Sequence, residues 1–247
     1  LLSVLERRAR PEDVRRAFGV LREAGFDNLS LDLIYGIPGQ SVADLESDLS
    51  AARGLEPEHI SAYELEAKPG TRFTYAHGDE LARQAEAMET YFERVVARLT
   101  EGGYRWYETA NFCRAVDRDL RSRHNLGYWR GRDYLGLGVG AVSTVEGRRW
   151  RTTPRLGRYL AALQAGERPE RELEELPAEV RGSERVLLGL RLDEPLSLAG
   201  LGDAVDAAAV ERLERLGLVA RGPAGNELAL TERGRFLGGG VTAELLA

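Results

Sequence analysis

The feature that most limits the fold is an alternation, over residues 11–108, of segments with a helical apolar repeat and segments with a strand repeat, joined by short turns. Pro11, Glu12 and Asp13 open a helix, since proline is tolerated in the first turn and acids there meet the positive end of the helix dipole. Val14, Ala17, Phe18, Leu21 and Ala24 fall on one face, and Gly25 supplies the stop. NLSLDLIYG then alternates Leu29, Leu31 and Leu33 with Ser30 and Asp32, a strand that runs into the turn residues Gly36, Pro38 and Gly39. Ser41 and Asp44 have capping-box spacing ahead of a helix striped by Val42, Leu45, Leu49 and Ala52. HISAYELEA predicts a second strand. Leu81, Ala85, Met88, Phe92, Val95 and Leu99 predict one long helix, and GYRWYETA a third strand. Such repetition predicts parallel βα units, an α/β class in which periodicity leaves a barrel and a doubly wound sheet equally open.

Beyond residue 114 the pattern changes. In DYLGLGVGA, Gly136, Gly138 and Gly140 alternate with Leu135, Leu137 and Val139, which predicts a strand with one bare face. VEGRRWR follows, with a turn expected at Glu146 and Gly147. After a helix around 155–164, AGERPERELEELP has the charge and proline of a linker, so a boundary is expected there, dividing the chain into 1–165 and 166–247. The second segment predicts helices near 178–190 and 206–216, a hairpin looped at GPAGN and a short helix begun by Thr231: a small winged-helix-like α+β domain.

Charge and cysteine count exclude some functions. The net charge is −6, and residues 181–247 hold eight arginines against ten acids, with only Arg212 and Arg215 on the helix that would read a groove. A phosphate-binding face is more basic than that, so nucleic acid is not an expected partner. Cys113 is the single cysteine, so neither an internal disulfide nor an iron–sulfur cluster held by this chain's own thiolates can form. It reads as a partly buried structural thiol. No run reaches the ~20 apolar residues of a membrane span, and the first ten residues are too charged for a secretion signal, so a cytoplasmic location is expected, with a membrane reached only as a peripheral delivery site. The chain begins at Leu1 and its one methionine, Met88, lies inside a helical pattern, which reads as part of a longer protein.

GFDNLSLDLIYGIPGQSVADLESDL, HISAYELEAKPGTRF, NFC, RHNLGYWRGRDYLGLGVGA, LGLRL and LTERG occur in the order found in the oxygen-independent coproporphyrinogen III oxidase-like radical SAM family, which the chain resembles along essentially its whole length. HNLGYW resembles the family's heme-chaperone branch. The resemblance implies part of a radical SAM partial (β/α) barrel, over 1–165, followed by the family's C-terminal domain, over 166–247. It implies S-adenosyl-L-methionine and a [4Fe–4S] cluster as cofactors, and heme or porphyrin as the molecule handled. Asp32 and Arg7 match residues that contact the adenosyl cofactor; a carboxylate accepts hydrogen bonds from two ribose hydroxyls and an arginine can pair with the carboxylate of the methionine part. The loop Tyr35, Gly36, Pro38, Gly39, Gln40 and the backbone of Leu65 and Glu66 match further cofactor contacts. His124, Asn125, Tyr128 and Trp129 are the implied heme contacts, an imidazole that can ligate iron and aromatics that can stack on a macrocycle. The family's cluster cysteines and its glycine-rich SAM loop are expected upstream of Leu1, and Val142 stands where the family usually has a histidine.

Two activities follow from the resemblance: a heme chaperone that delivers heme to respiratory-chain proteins, and, as the alternative, a radical oxidative decarboxylase of coproporphyrinogen III. Whether the parent protein is an enzyme stays open at this stage. The 247 residues alone are expected to be inactive in reductive SAM cleavage, and no metal ligand set is expected within them.

Overall fold

The computed structural model describes residues 1–246, which form two compact units, the first Leu1–Ser122 and the second from Arg123 onward. In the first, α1 (Pro11–Glu23) leads to β1 (Ser30–Tyr35), α2 (Val42–Gly54), β2 (His59–Glu64), α3 (Arg72–Gln84), α4 (Met88–Glu101), β3 (Tyr104–Glu108) and β4 (Asn111–Arg114). The start signals act as their chemistry requires. The Ser41 hydroxyl accepts from Asp44 N, and Asp44 returns a carboxylate oxygen to Ser41 N at 2.9 Å. The Asp13 carboxylate accepts from Arg10 N at 2.9 Å.

These strands make one sheet in the order β1-β2-β4-β3. β1 and β2 are parallel, with Asp32 beside Ser61. The third strand departs from the expected parallel unit. Only Thr109 and Ala110 separate β3 from β4, too few for a crossover, so the two form an antiparallel hairpin and β4 takes the place next to β2. β1, β2 and β3 still run in one direction, as the helix–strand alternation requires, but the sheet is small, mixed and open. The expected single long helix is also divided, by a 3-10 turn at Ala85–Ala87.

Alternation sorts this sheet into two faces. Leu45 and Leu49 of α2 and Val95, Val96 and Leu99 of α4 are buried with Ile60, Ala62, Trp106 and Phe112 in the core. The polar parity of β1, Ser30 and Asp32, continues across His59 and Ser61 to Asn111 and Cys113. Of these, His59, Ser61, Asn111 and Cys113 are buried and Asp32 is exposed.

The second unit contains α5 (Arg123–Trp129), β5 (Val142–Val145), β6 (Arg148–Thr152), α6 (Leu156–Gln164), β7 (Arg171–Glu175), α7 (Ala178–Gly189), β8 (Leu196–Ser197), α8 (Ala207–Arg215), β9 (Val219–Arg221), β10 (Glu227–Leu230), α9 (Glu232–Phe236) and α10 (Gly238–Leu245). The boundary between the compact units lies at Ser122, ahead of the 165/166 position suggested by composition. The stretch that reads as a linker contains β7, which pairs antiparallel with β6, so charge and proline there mark an exposed edge strand. Glu146 and Gly147 both take positive φ, 50° and 77°, and close the tight hairpin between β5 and β6. Residues 135–141 are not a strand. They form an irregular loop in which a Cβ on Gly136 would lie 2.2 Å from Val142 O, a close approach of backbone to backbone that only glycine allows. The last part follows the expected pattern: α7, β8, α8 and the β9–β10 hairpin enclose a core of Val186, Leu190, Leu213, Leu228 and Leu245, and Thr231 caps α9.

Candidate functional site

Two groups of site residues stand out, one in each unit. In the first, β1 delivers Asp32 on the polar parity and Tyr35 on the opposite, buried one. Among the described residues no protein donor holds the Asp32 carboxylate, so both of its oxygens can accept from a ligand. Its neighbour His59 is fixed by a 2.9 Å contact between Nδ1 and the Ser30 hydroxyl and a 2.8 Å contact between Nε2 and the Tyr107 hydroxyl. Burial pushes His59 down to about 4, against the opposing pull of Asp32 and Glu108, so its ring is neutral at pH 7. The phenol of Tyr107 also accepts from Ser122 N at 3.1 Å, and burial raises it. Sequence reading passed over His59, Tyr107 and the buried Glu108–Asn111 pair. Histidine and tyrosine in strands look like ordinary β-formers until pairing puts them on one face.

The loop after β1 turns inward. Gly36 and Gly39 have φ of 76° and 79°, which suits glycine. The Gln40 side-chain carbonyl accepts from Gly36 N at 2.8 Å, and the Gln84 amide donates to Ile37 O and Gln40 O at 2.8 and 3.1 Å. Tyr91 adds a hydroxyl to Gln40 O at 2.6 Å. Gly36 has a packing reason as well, since a Cβ there would lie 2.6 Å from Met88 Cε. Gln40 thus satisfies its own loop. Leu65 N donates to Tyr35 O at 2.8 Å, which ties the end of β2 to the end of β1; Glu66 follows in the adjoining loop. Arg7 lies in the exposed turn before α1, its backbone N bonded to Leu2 O, and makes no ion pair with Asp32.

In the second unit, HNLGYW folds as α5, so His124 and Tyr128, four residues apart, share one exposed face. Their rings meet edge to face at 5.0 Å, and Tyr128 meets Tyr134 at 4.7 Å. Trp129 points elsewhere: the Arg191 guanidinium lies 4.4 Å over its ring. Arg130, just after α5, donates from Nη2 to both carboxylate oxygens of Glu194 at 2.9 Å, which anchors the end of the helix. Asn125 is half-buried on the same helix. The glycine loop leaves Leu135 and Leu137 open, at 68% and 93% exposure.

The implied cofactors meet this chain unequally. Asp32, an exposed carboxylate with free acceptors beside Ser61, suits the ribose of an adenosyl cofactor. A [4Fe–4S] cluster does not fit: Cys113 is the one thiol and is buried in β4, and no group of three metal-ligating side chains exists among the described residues. His124 with Tyr128 and Tyr134 fits a flat iron macrocycle. No helix among the described residues is long and apolar enough to cross a membrane.

The fold is that of a radical SAM enzyme. The chain superimposes on Escherichia coli coproporphyrinogen III oxidase, HemN, described as a radical SAM enzyme, with a TM-score of 0.76 over 98% of this chain and 60% of that one, at 20% identity. No protein-family model matches. The chain is 36% identical along its whole length to the heme chaperone HemW of Mycobacterium tuberculosis and 30% identical to that of Bacillus subtilis, and two-thirds of it is 34% identical to HemW of Escherichia coli. It therefore belongs to the family of the HemW heme chaperones. It spans 62% of the length of the Mycobacterium tuberculosis protein and 66% of that of the Bacillus subtilis protein.

Proposed function

We propose that this chain is the heme-holding part of a heme chaperone, binding heme for delivery to respiratory-chain proteins. The observation that carries this reading is the exposed His124–Tyr128–Tyr134 cluster on and beside α5. An exposed imidazole can ligate iron, and the two phenol rings offer an aromatic surface at one edge. Asn125 and Trp129 lie on the same helix, the Trp129 ring with the Arg191 guanidinium over it. Asp32, with Arg7 and the Tyr35–Gln40 and Leu65–Glu66 loops, serves an adenosyl cofactor; when bound, that cofactor and a [4Fe–4S] cluster would supply radical chemistry, with the cluster's thiolates coming from outside these 247 residues. Within this chain Asp32 accepts hydrogen bonds and the glycine loop shapes the strand ends. The likeness to HemN favours a second reading, oxidative decarboxylation of coproporphyrinogen III, which calls for turnover rather than storage.

Hemin titrated into the full chain tests the first reading. A stoichiometric Soret band that His124→Ala shifts or abolishes, with circular dichroism unchanged, is the expected result. Equal spectra for the parent chain, His124→Ala and Tyr128→Ala would remove α5 from the heme site.

A further inference from the structure

The loop between Tyr134 and Val142 is anchored along its backbone and bare along its side chains. Tyr134 and Thr144 exchange both backbone bonds, at 2.9 and 3.0 Å. Gly136 N donates to the Ser143 hydroxyl at 2.9 Å, and Gly140 N to Thr153 O at 3.0 Å. Cβ atoms on Gly136 and Gly140 would meet Val142 O and Pro154, so the glycine positions turn toward the protein. Leu135, Leu137 and Val139 turn outward and are exposed. A freely mobile loop would fold such side chains back onto the surface, but this one is held at three points. The result is an apolar ledge kept in water, ready-shaped for a ligand with an apolar face.

The neighbours of the ledge say what that ligand is. At its start the ledge continues from Tyr134, whose ring meets Tyr128 at 4.7 Å, and Tyr128 meets His124 at 5.0 Å. Imidazole, aromatic surface and leucines are therefore contiguous. At its end the Arg151 guanidinium lies beside Gly140, with Nη2 4.0 Å from where a Cβ would be. Arg151 stands across from Glu172 on β7, yet it makes no ion pair among the described residues. An iron ligand, an apolar ledge and a cation together complement an iron tetrapyrrole, which has an axial site, an apolar ring and carboxylates at one edge. An apolar peptide has no use for the imidazole, and a simple anion none for the leucines.

We propose that residues 135–139 form the floor of the heme site: Leu135 and Leu137 lie against the ring of a tetrapyrrole whose iron His124 ligates, and Arg151 pairs with one of its propionates. This deepens the reading of α5 and rests on it for the iron contact.

Hemin and metal-free protoporphyrin IX, titrated separately into the full chain, test the floor. The parent and a Leu135→Ser/Leu137→Ser double variant are compared by Soret absorbance for hemin and by fluorescence for the porphyrin. Both leucines are exposed, so the double variant should keep its circular dichroism. It should raise the Kd of both ligands about tenfold or more, with the hemin Soret maximum where the parent has it. Arg151→Gln should weaken hemin about threefold or more and leave hemin dimethyl ester, which has no carboxylate, unaffected. An unchanged hemin affinity in the double variant overturns the proposal while leaving His124 as the ligand. If the parent binds no hemin, the α5 reading fails and the porphyrin decides the floor: binding that the double variant weakens sustains it, and equal or absent binding overturns it. A double variant that loses its fold shows the leucines to be packed within the protein, and overturns the proposal as well.

Discussion

The β1–β2 sheet with its 36–40 loop and the α5 region with its 135–140 loop have similar sequence ingredients: aromatics, a histidine, and glycines alternating with apolar residues. They end in opposite states. Ile37, Pro38 and Gln40 are buried, and their backbone is held by Gln40, Gln84 and Tyr91. Leu135, Leu137 and Val139 stand in the open, and only the backbone of that loop is engaged, at Gly136 and Gly140. The histidines divide the same way, His59 locked between two hydroxyls and His124 exposed beside a phenol. The difference lies in which polar side chains neighbouring elements contribute. A glycine-rich turn becomes core when amides and hydroxyls reach its carbonyls, and stays an open surface when none does.

Acid should separate the two histidines most. An unfolded chain binds a proton at His59 near pH 6.5, whereas the folded chain resists until about 4. Between those values the unfolded state holds the extra proton, so His59 costs the fold nothing above about pH 6.5 and destabilises it progressively as pH falls toward 4, by up to about 3 kcal/mol. Urea titrations at steps between pH 7 and pH 4 should show this slope in the parent chain and a shallower one in His59→Gln. Parallel slopes would show that His59 is not held neutral by its surroundings.

Gly36→Ala should have the next largest effect. The φ of 76° costs any L residue about 1–2 kcal/mol, and the methyl group also displaces the Met88 thioether. A correspondingly lower melting temperature is expected. An unchanged one would mean that the 36–40 loop is as loosely held as its counterpart at 135–140.

Much of this architecture was legible in the residues, and the failures have physical reasons. Helix starts at Pro11, Ser41 and Thr231 depend on local capping chemistry, which sequence displays. The parity of Asp32 could be read from Leu31 and Leu33 beside it. The β3–β4 hairpin could not, because its two-residue turn, Thr109 and Ala110, lacks the usual Asn or Gly signal. Strand β7 was hidden by its charge: an edge with both sides exposed needs no apolar alternation, so its composition matches a linker. The partners of His59 were invisible for a third reason, since Ser30 and Tyr107 are brought to it by strand pairing and a long-range hydrogen bond.

The smallest expected effect is at Leu137, where the open region is most directly tested. At 93% exposure the side chain has almost no contact to lose, so Leu137→Ser should change the unfolding free energy obtained from urea titration by less than about 0.5 kcal/mol and leave the denaturant slope unaltered. A loss above about 1 kcal/mol would require that the leucine be covered in solution, because removing a water-exposed leucine from a loop has no other route to such a cost. That result would erase the contrast between the two glycine loops, and would make the 135–140 segment a packed surface whose cover the chain itself supplies.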